Sequence, residues 1–134
     1  MSRQEFLHDV YSAVQQVPEG KVTTYGHIAR LIQFPRHARH VGNALNRLGF
    51  VPLPPFHSQN VPWQRIVASN GNISPRDNIE SCYLQADLLR EEGVIVAEPT
   101  IGPEFVGGGG GKVDLAVFGW FPDRLPSEEQ DASP

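Results

Sequence analysis

The sequence has a single cysteine and no long apolar run. One thiol, Cys82, cannot form a disulfide within the chain, which fits a reducing compartment. No apolar stretch approaches the ~18–20 residues that a membrane-spanning helix needs. The polar start of the chain shows no signal-peptide core. With 134 residues, we expect one folded domain that contacts no membrane.

Patterns for catalysis or cofactor binding are also scarce. The glycine run before Lys112 suggests a phosphate loop, but that motif requires Ser or Thr where this chain has Val113. His37 and His40 lie one helical turn apart without the Cys or carboxylate partners of a usual metal site. Cys82 occupies an apolar helix position, where a buried hydrophobe is favoured over a reactive thiolate. We therefore predict no cofactor, no metal and no catalytic residue.

The chain as a whole has no excess of positive charge, since its net charge is −4. Its distribution is uneven: residues 20–80 contain seven Lys and Arg against two acidic residues, whereas residues 101–134 contain two against six. This asymmetry favours a basic working face and an acidic tail. An ordinary solvated surface with uneven charge is the alternative.

Apolar periodicity and capping signals predict four helices. The first begins at a Ser2–Glu5 capping box and ends at Pro18, and the others are Tyr25–Gln33, about Arg36–Leu48 and about Ile79–Glu92. We expect residues 63–68 to be extended and residues 69–72 to form a turn. Val94–Ala97 and Val113–Phe118 are predicted to pair as a hairpin with Gly107–Gly111 at its tip. Residues 124–134 are predicted to be a disordered acidic tail.

The second and third predicted helices form a close pair, and the third has a polar face. That face contains Arg36, Arg39, His40, Asn43 and Arg47. Gly42 is small enough to let another molecule approach the helix closely. Such a pair is typical of a helix-turn-helix DNA-binding motif, although helix pairs also occur in many other folds.

A tryptophan stands in the polar stretch Val61-Pro62-Trp63-Gln64-Arg65-Ile66-Val67, directly after a proline-rich loop. On residue type alone, Trp63 is either a wedge packed under this loop or part of a binding surface.

Three motifs, in this order, resemble the DNA-binding domain of the O6-alkylguanine-DNA alkyltransferases. They are Lys21–Ala29, Ala38–Ala44 and Val61–Val67, within a match over roughly Phe6–Gly93. More closely, the sequence resembles the alkyltransferase-like proteins, in which the acceptor cysteine of Pro-Cys-His-Arg is lost, often to tryptophan. The resemblance implies a mostly α fold with small β hairpins, a winged helix-turn-helix domain, over residues 1–123.

The departure at the acceptor position implies a protein that is not an enzyme. In the alkyltransferases the cysteine thiolate accepts the alkyl group, and the next histidine helps to deprotonate it. Trp63 and Gln64 stand at these two positions, and neither an indole nor an amide supplies a nucleophile or a base.

The resemblance also implies roles for individual residues. Tyr25 would press on a phosphate and turn a nucleotide out of the duplex, while Arg39 would fill the vacated space from the minor groove. The lesion pocket would contain Pro62, Trp63, Ile66 and Arg76. Other DNA contacts are expected from Thr24, Arg36, His40, Gly42, Asn43, Arg47 and Ser69.

These roles predict a sensor that binds O6-alkylguanine in double-stranded DNA and directs it to nucleotide excision repair proteins. Two alternatives stay open: a lesion-independent minor-groove binder or competitor of alkyltransferases, and a residual enzyme that uses Cys82. Similarity to fungal members indicates a nuclear protein (cytoplasmic in a bacterium). We expect a monomer.

Overall fold

The computed structural model describes residues 2–48, 53–73, 79–97 and 111–127. Its helices are α1 (Arg3–Val14), α2 (Tyr25–Leu31), α3 (Ala38–Arg47), α4 (Ile79–Glu91) and α5 (Leu115–Phe118). Its strands are β1 (Thr23–Thr24), β2 (Ile66–Val67), β3 (Val96–Ala97) and β4 (Lys112–Val113). In these ranges no helix is both long and apolar enough to cross a membrane.

The chain divides into two compact units. The helical unit contains residues 1–18, 25–63 and 121–134, and the mixed unit contains residues 19–24 and 64–120. The helical unit therefore holds α1, α2 and α3, and the mixed unit holds all four strands together with α4 and α5.

The helical unit is built on the packing of α1 against α2 and α3. Ser2 caps α1 as predicted, because its Oγ accepts a hydrogen bond from the Glu5 N–H at 3.1 Å. The buried face of α1 includes Leu7, Val10 and Val14, whose spacing of three and four residues places them on one side of the helix. Burial of these aliphatic side chains is the main source of stability for this packing.

A buried hydrogen bond joins α1 to α3. Tyr11, with 2% exposure, donates from its Oη to the Ala44 carbonyl at 2.6 Å. Burial raises the pKa of the Tyr11 phenol above its ordinary value, and the positive charge of Arg47 counteracts part of this rise. This bond fixes α1 against α3 at one point along their length.

The connection between α2 and α3 is longer than the sequence predicts. α2 ends at Leu31 because Gln33 adopts a left-handed backbone with φ = 73°, which a helix cannot contain. The Phe34 N–H then donates to the Ala29 carbonyl at 2.8 Å. α3 begins at Ala38 rather than at Arg36. The pair nevertheless keeps the two helices predicted for the helix-turn-helix motif.

The mixed unit contains two small sheets around a separate core. β1 and β2 are parallel, with Thr23 opposite Ile66, and β3 and β4 are antiparallel, with Val96 opposite Val113. Only the second pair is a hairpin. The core consists of Val22, Val67, Ile73, Ala86, Leu89, Val94, Val96 and Val113, with Leu115 and Phe118 packed against it.

Two predicted extended stretches are partly wrong. Trp63–Arg65 is a 3₁₀ turn, and only Ile66–Val67 of the predicted strand is extended. In the predicted hairpin, β4 ends at Val113, and the next residues form α5 because the Asp114 carboxylate accepts from the Ala116 N–H at 2.9 Å. Of the predicted hairpin tip, residues 107–110 lie outside the described part of the chain.

The predicted turn at residues 69–72 is confirmed. Gly71 has φ = 87°, and its N–H donates to the Ala68 carbonyl at 2.8 Å. A Cβ at this position would lie 2.2 Å from the Val113 carbonyl oxygen, so both the backbone conformation and the available space require glycine.

Residues 121–127 belong to the helical unit and contact its helices. The Nε2 N–H of His27 donates to the Pro122 carbonyl at 2.7 Å, and the His27 ring meets the Phe121 ring edge-on at 5.2 Å between centroids. Leu125 is buried, and the Ser127 N–H donates to Gln16 Oε1 at 3.0 Å. The domain boundary at residue 124 stays a prediction, and residues 128–134 lie outside the described ranges.

Candidate nucleic-acid interface

The face of α3 opposite its buried side is basic and exposed. Val41 and Ala44 are buried, while Arg39 and Asn43 of α3 and Arg36 just before it are exposed. Neither Arg36 nor Arg39 forms an ion pair within the part of the chain that the structure describes. Unpaired guanidinium groups on a helix face are available to phosphates and bases. The polar face predicted from the sequence therefore exists as an accessible surface.

The aromatic ring of Tyr25, the first residue of α2, lies over Gly42 of α3. A Cβ built on Gly42 would be 3.8 Å from both Cδ1 and Cε1 of this ring. Tyr25 is half-buried, so part of the ring packs on α3 and part faces solvent. The structure thus brings together two residues that the sequence analysis assigned separately to DNA binding.

Tilted and edge-on contacts between aromatic rings surround the beginning of α3. The His37 and His40 rings lie 5.0 Å apart between centroids, and His37 contacts Phe34 at 5.3 Å. Phe6 of α1 meets the His40 ring at 6.3 Å. These contacts hold the His40 ring beside Arg39, although the His40 residue is exposed overall. Arg47, at the other end of the face, is half-buried.

Trp63 is neither fully buried nor fully exposed. The residue is half-buried, as is Pro62 before it, and its backbone N–H donates to the Val61 carbonyl at 2.7 Å. This bond closes the tight turn that starts the 3₁₀ segment. An indole with an accessible part can stack on a base, whereas a wedge packed wholly under the loop could not.

The residues after Trp63 have their polar groups satisfied inside the mixed unit. The Glu92 carboxylate accepts from Gln64 Nε2 at 2.7 Å and from Arg65 Nε at 2.9 Å. It also accepts from the Gly20 N–H at 3.1 Å. Burial raises the pKa of Glu92, but these hydrogen bonds and the Arg65 charge outweigh burial and leave the pKa below its ordinary value. Glu92 is therefore an anion at neutral pH.

The remaining predicted site residues have different settings. Ile66 is completely buried, and its carbonyl accepts from Gln85 Nε2 at 2.9 Å. Thr24 is buried and directly precedes Tyr25, while Ser69 is exposed in the turn after β2. Arg76, predicted for the lesion pocket, lies outside the described residues. The side chain of Cys82, considered as a residual nucleophile, is also outside the described part of the structure. Elsewhere in the described ranges, no group of three or more His, Cys, Asp or Glu could hold a metal ion.

Sequence reasoning missed Gln85 and Glu92 as supports of the Trp63 segment. Gln85 is fully buried, and it donates to the Gln64 carbonyl at 3.1 Å as well as to that of Ile66. A signal was present: Gln85 is a polar residue of α4 beside the buried apolar residues Ala86 and Leu89. A polar residue on the core-facing side of a helix indicates an internal hydrogen-bond partner.

Comparison with known proteins agrees with this arrangement. The family profile of the 6-O-methylguanine DNA methyltransferase DNA-binding domain matches residues 5–94. Alkyltransferase-like protein 1 of Schizosaccharomyces pombe is 40% identical over 122 residues, which cover 91% of this chain and 100% of that protein. A DNA base-flipping protein of Vibrio parahaemolyticus is 33% identical over 118 residues, covering 88% of this chain and 98% of that protein.

A solved structure is similar over the same extent. The S. pombe protein, in a crystal structure with damaged DNA containing O6-carboxymethylguanine, superposes with a TM-score of 0.74 at 39% identity. The match covers 91% of this chain and all of that one. It confirms the fold class predicted from the sequence, a mostly helical helix-turn-helix domain with small sheets. The chain belongs to the family of the 6-O-methylguanine DNA methyltransferase DNA-binding domain, and within it to the alkyltransferase-like proteins.

Proposed function

We propose that this protein binds O6-alkylguanine in duplex DNA by flipping the damaged nucleotide and does not transfer the alkyl group. The observation that carries the proposal is the α2–α3 surface, on which Tyr25 packs over Gly42 and the exposed Arg39 forms no ion pair with any residue that the structure describes. A relative of similar length is solved with DNA that contains an O6-alkylated guanine, which supports the same class of ligand here.

The physical reasons for flipping follow from these residue types. Turning a nucleotide out of a duplex costs a few kcal/mol of stacking and pairing. A guanidinium inserted from α3 recovers part of this loss through stacking and phosphate attraction. Arg39 can take this role because its side chain is exposed, and Tyr25 beside it supplies a rigid ring to displace the backbone.

Trp63 supports recognition rather than reaction. An indole stacks on a purine with about 1–3 kcal/mol per base. It has no nucleophilic atom that could accept an alkyl group, and the Gln64 amide next to it is held by Glu92 and cannot act as a base. A lesion bound here would stay chemically unchanged and would need another repair pathway, for which we propose nucleotide excision repair.

Two variants test this division of roles on matched duplexes with and without O6-methylguanine at one stated salt concentration. Arg39→Ala is expected to weaken binding to both duplexes, because insertion assists flipping of any nucleotide. Trp63→Ala is expected to weaken lesion binding by about 5- to 100-fold, from the stacking energy, with a smaller change for undamaged DNA. Equal losses on both duplexes for Trp63→Ala would contradict lesion recognition by the indole.

The same experiment addresses the other candidate function, a lesion-independent minor-groove binder or competitor of alkyltransferases. The exposed basic face of α3 favours that function too, since phosphate attraction does not depend on sequence or damage. For such a protein, Arg39→Ala would still reduce DNA affinity, but the wild type would bind damaged and undamaged duplexes equally well.

Alkyl transfer has its own test. Incubation with DNA that contains radiolabelled O6-methylguanine is expected to leave the protein unlabelled. Label transferred to protein, and lost in Cys82→Ser, would instead identify a residual enzyme. We also propose a monomeric protein located in the nucleus (in the cytoplasm if the source is bacterial), to be checked by sedimentation and by microscopy of a tagged chain.

A further inference from the structure

The backbone immediately after Trp63 is held from α4 by a buried amide. Gln85 has no exposed surface, and its Nε2 donates to the carbonyls of Gln64 and Ile66 at 3.1 and 2.9 Å. One side chain therefore spans the junction between the 3₁₀ turn and β2.

The side chains of the same segment are held by a buried carboxylate. Glu92, whose side chain is 8% exposed, binds Gln64 Nε2 at 2.7 Å and Arg65 Nε at 2.9 Å. Its third donor, the Gly20 N–H at 3.1 Å, comes from the chain that leads into β1. The two oxygens of Glu92 are thus filled by donors with fixed directions.

Gln85 and Glu92 both contact the segment after Trp63. Gln85 lies in α4, and Glu92 is the residue that directly follows the last residue of this helix, Glu91. We call these two residues the α4 brace. Together they form four hydrogen bonds with residues 64, 65 and 66 and a fifth with the Gly20 N–H.

Filling this space with the polar side chains of the α4 brace costs free energy. Burying an amide and a carboxylate removes them from water, and within the described residues Gln85 Oε1 finds no hydrogen-bond partner. An apolar side chain of the same size would avoid this cost. Directional bonds, however, fix a backbone in one position, which dispersion contacts do less sharply.

We propose that Gln85 and Glu92 are positioning residues for Trp63. By fixing residues 64–66, they hold the 3₁₀ turn that carries the indole and thereby restrict the ring to one orientation. On the proposed function, which this inference deepens, the restricted ring is ready to stack on a flipped base without losing orientational freedom on binding.

The first test follows Trp63 without DNA. In a Trp120→Phe background Trp63 is the sole tryptophan, so its time-resolved fluorescence anisotropy reports ring motion. Glu92→Gln, which puts an amide where Arg65 and Gln64 need an acceptor, is expected to increase the amplitude of nanosecond motion. Glu91→Gln changes the exposed neighbouring carboxylate and should leave the amplitude unchanged. Equal anisotropy in the folded Glu92→Gln and Glu91→Gln proteins would overturn the proposal.

Two further variants separate positioning from general stability. Gln85→Met keeps the size of the side chain and removes both donors, and it is expected to mobilise Trp63 as Glu92→Gln does. The reciprocal exchange Gln64→Glu with Glu92→Gln keeps one amide donor opposite one carboxylate and should restore part of the lost order. If Gln85→Met does not fold, Glu92→Gln and the double variant Gln64→Glu with Glu92→Gln show whether the brace orders Trp63.

The second test adds DNA and separates this inference from the proposed function. In Glu92→Gln the ratio of affinities for lesion and undamaged duplex is expected to fall about tenfold, with undamaged binding nearly constant, as for a site loosened by about 1 Å. A wild-type ratio of one would remove the proposed function, while the anisotropy would still decide whether the brace orders Trp63. An unchanged ratio beside a clear lesion preference in the wild type would overturn the inference.

Discussion

The α3 face and the segment after Trp63 use polar residues in opposite ways. Arg39 on α3 and Arg36 just before it are exposed to solvent and form no ion pair among the described residues. After Trp63, Gln64 and Arg65 are both bound to the nearly buried Glu92. The first surface keeps its hydrogen-bonding groups for another molecule, and the second uses them to fix its own backbone. Substitutions on α3 should therefore change binding, and substitutions around residues 64–66 should change stability and order.

The largest expected effect is a loss of DNA affinity in the Arg39→Ala variant. Loss of a central arginine at an interface costs roughly 2 kcal/mol, or about 30-fold in affinity, and an exposed side chain contributes little to folding. Titration of labelled duplex should show this loss, while the melting temperature stays within a degree or two of the wild type. Arg3→Ala removes one exposed positive charge from α1 and measures the contribution of charge alone. Equal losses in both variants would mean that α3 offers only unspecific charge.

The next effect is on stability, through Glu92 and pH. Because its folded-state pKa lies below the ordinary value of 4.5, Glu92 stabilises the fold fully above that value, and this contribution is lost as pH falls through the folded-state pKa. At pH 7, Glu92→Gln should lower the free energy of unfolding by about 1–3 kcal/mol, the cost of unsatisfied buried donors.

Urea unfolding between pH 7 and pH 3 checks this prediction. The difference between the wild type and Glu92→Gln should shrink towards the acidic end, and Glu91→Gln should follow the wild type throughout. A constant difference would show that the carboxylate charge does not matter, and that the wild type gains only from the shape of the side chain.

A smaller effect separates the packing of the helical unit from its binding surface. Tyr11→Phe removes the bond to the Ala44 carbonyl and should lower the free energy of unfolding by about 1 kcal/mol. Because burial raises the Tyr11 pKa, the wild-type advantage is complete below the ordinary value of 10.0 and declines as pH rises through the folded-state pKa. Unfolding at pH 8 and pH 11 tests this decline, and affinity for DNA at pH 8 should stay close to wild type. A large loss of affinity would show that α1 orients α3 for binding.

The smallest effect concerns the space between α2 and α3. Gly42→Ala places a methyl at ordinary contact distance, 3.8 Å, from the Tyr25 ring and should raise the free energy of unfolding by up to about 1 kcal/mol through helix propensity. Thermal unfolding measures the gain. Because Gly42 is an expected DNA contact, the added methyl should also reduce duplex affinity, and an unchanged affinity would show that DNA does not approach α3 closely at this residue.

Some of this architecture could be predicted from the sequence because it depends on local signals. Ser2 and Glu5 mark the start of α1, and the alternation of buried and exposed residues on α3 follows from helical periodicity. Asn70 and Gly71 indicate the turn after β2. Each of these features is decided by residues within one or two turns of each other.

One missed feature depends on partners far along the chain, and two others depend on competition between local hydrogen bonds. Gln64 and Glu92 are 28 residues apart, and no local pattern shows that the glutamate directly after α4 will bind the amide of a residue in the 3₁₀ turn. The 3₁₀ turn at Trp63 replaces the predicted strand because its N–H bonds back to Val61. α5 replaces the end of another predicted strand because Asp114 caps it, a competition between cap and strand that apolar residues alone do not reveal.

The central claim is that the protein reads damage by binding, and one measurement tests it most directly. The dissociation constants of the unmodified protein should be determined for two duplexes of identical sequence, one with O6-methylguanine and one with guanine, at the same salt concentration. The account predicts at least about tenfold tighter binding to the damaged duplex, as expected when ~1.4 kcal/mol of base stacking is gained at the lesion. Equal dissociation constants for the two duplexes would contradict it.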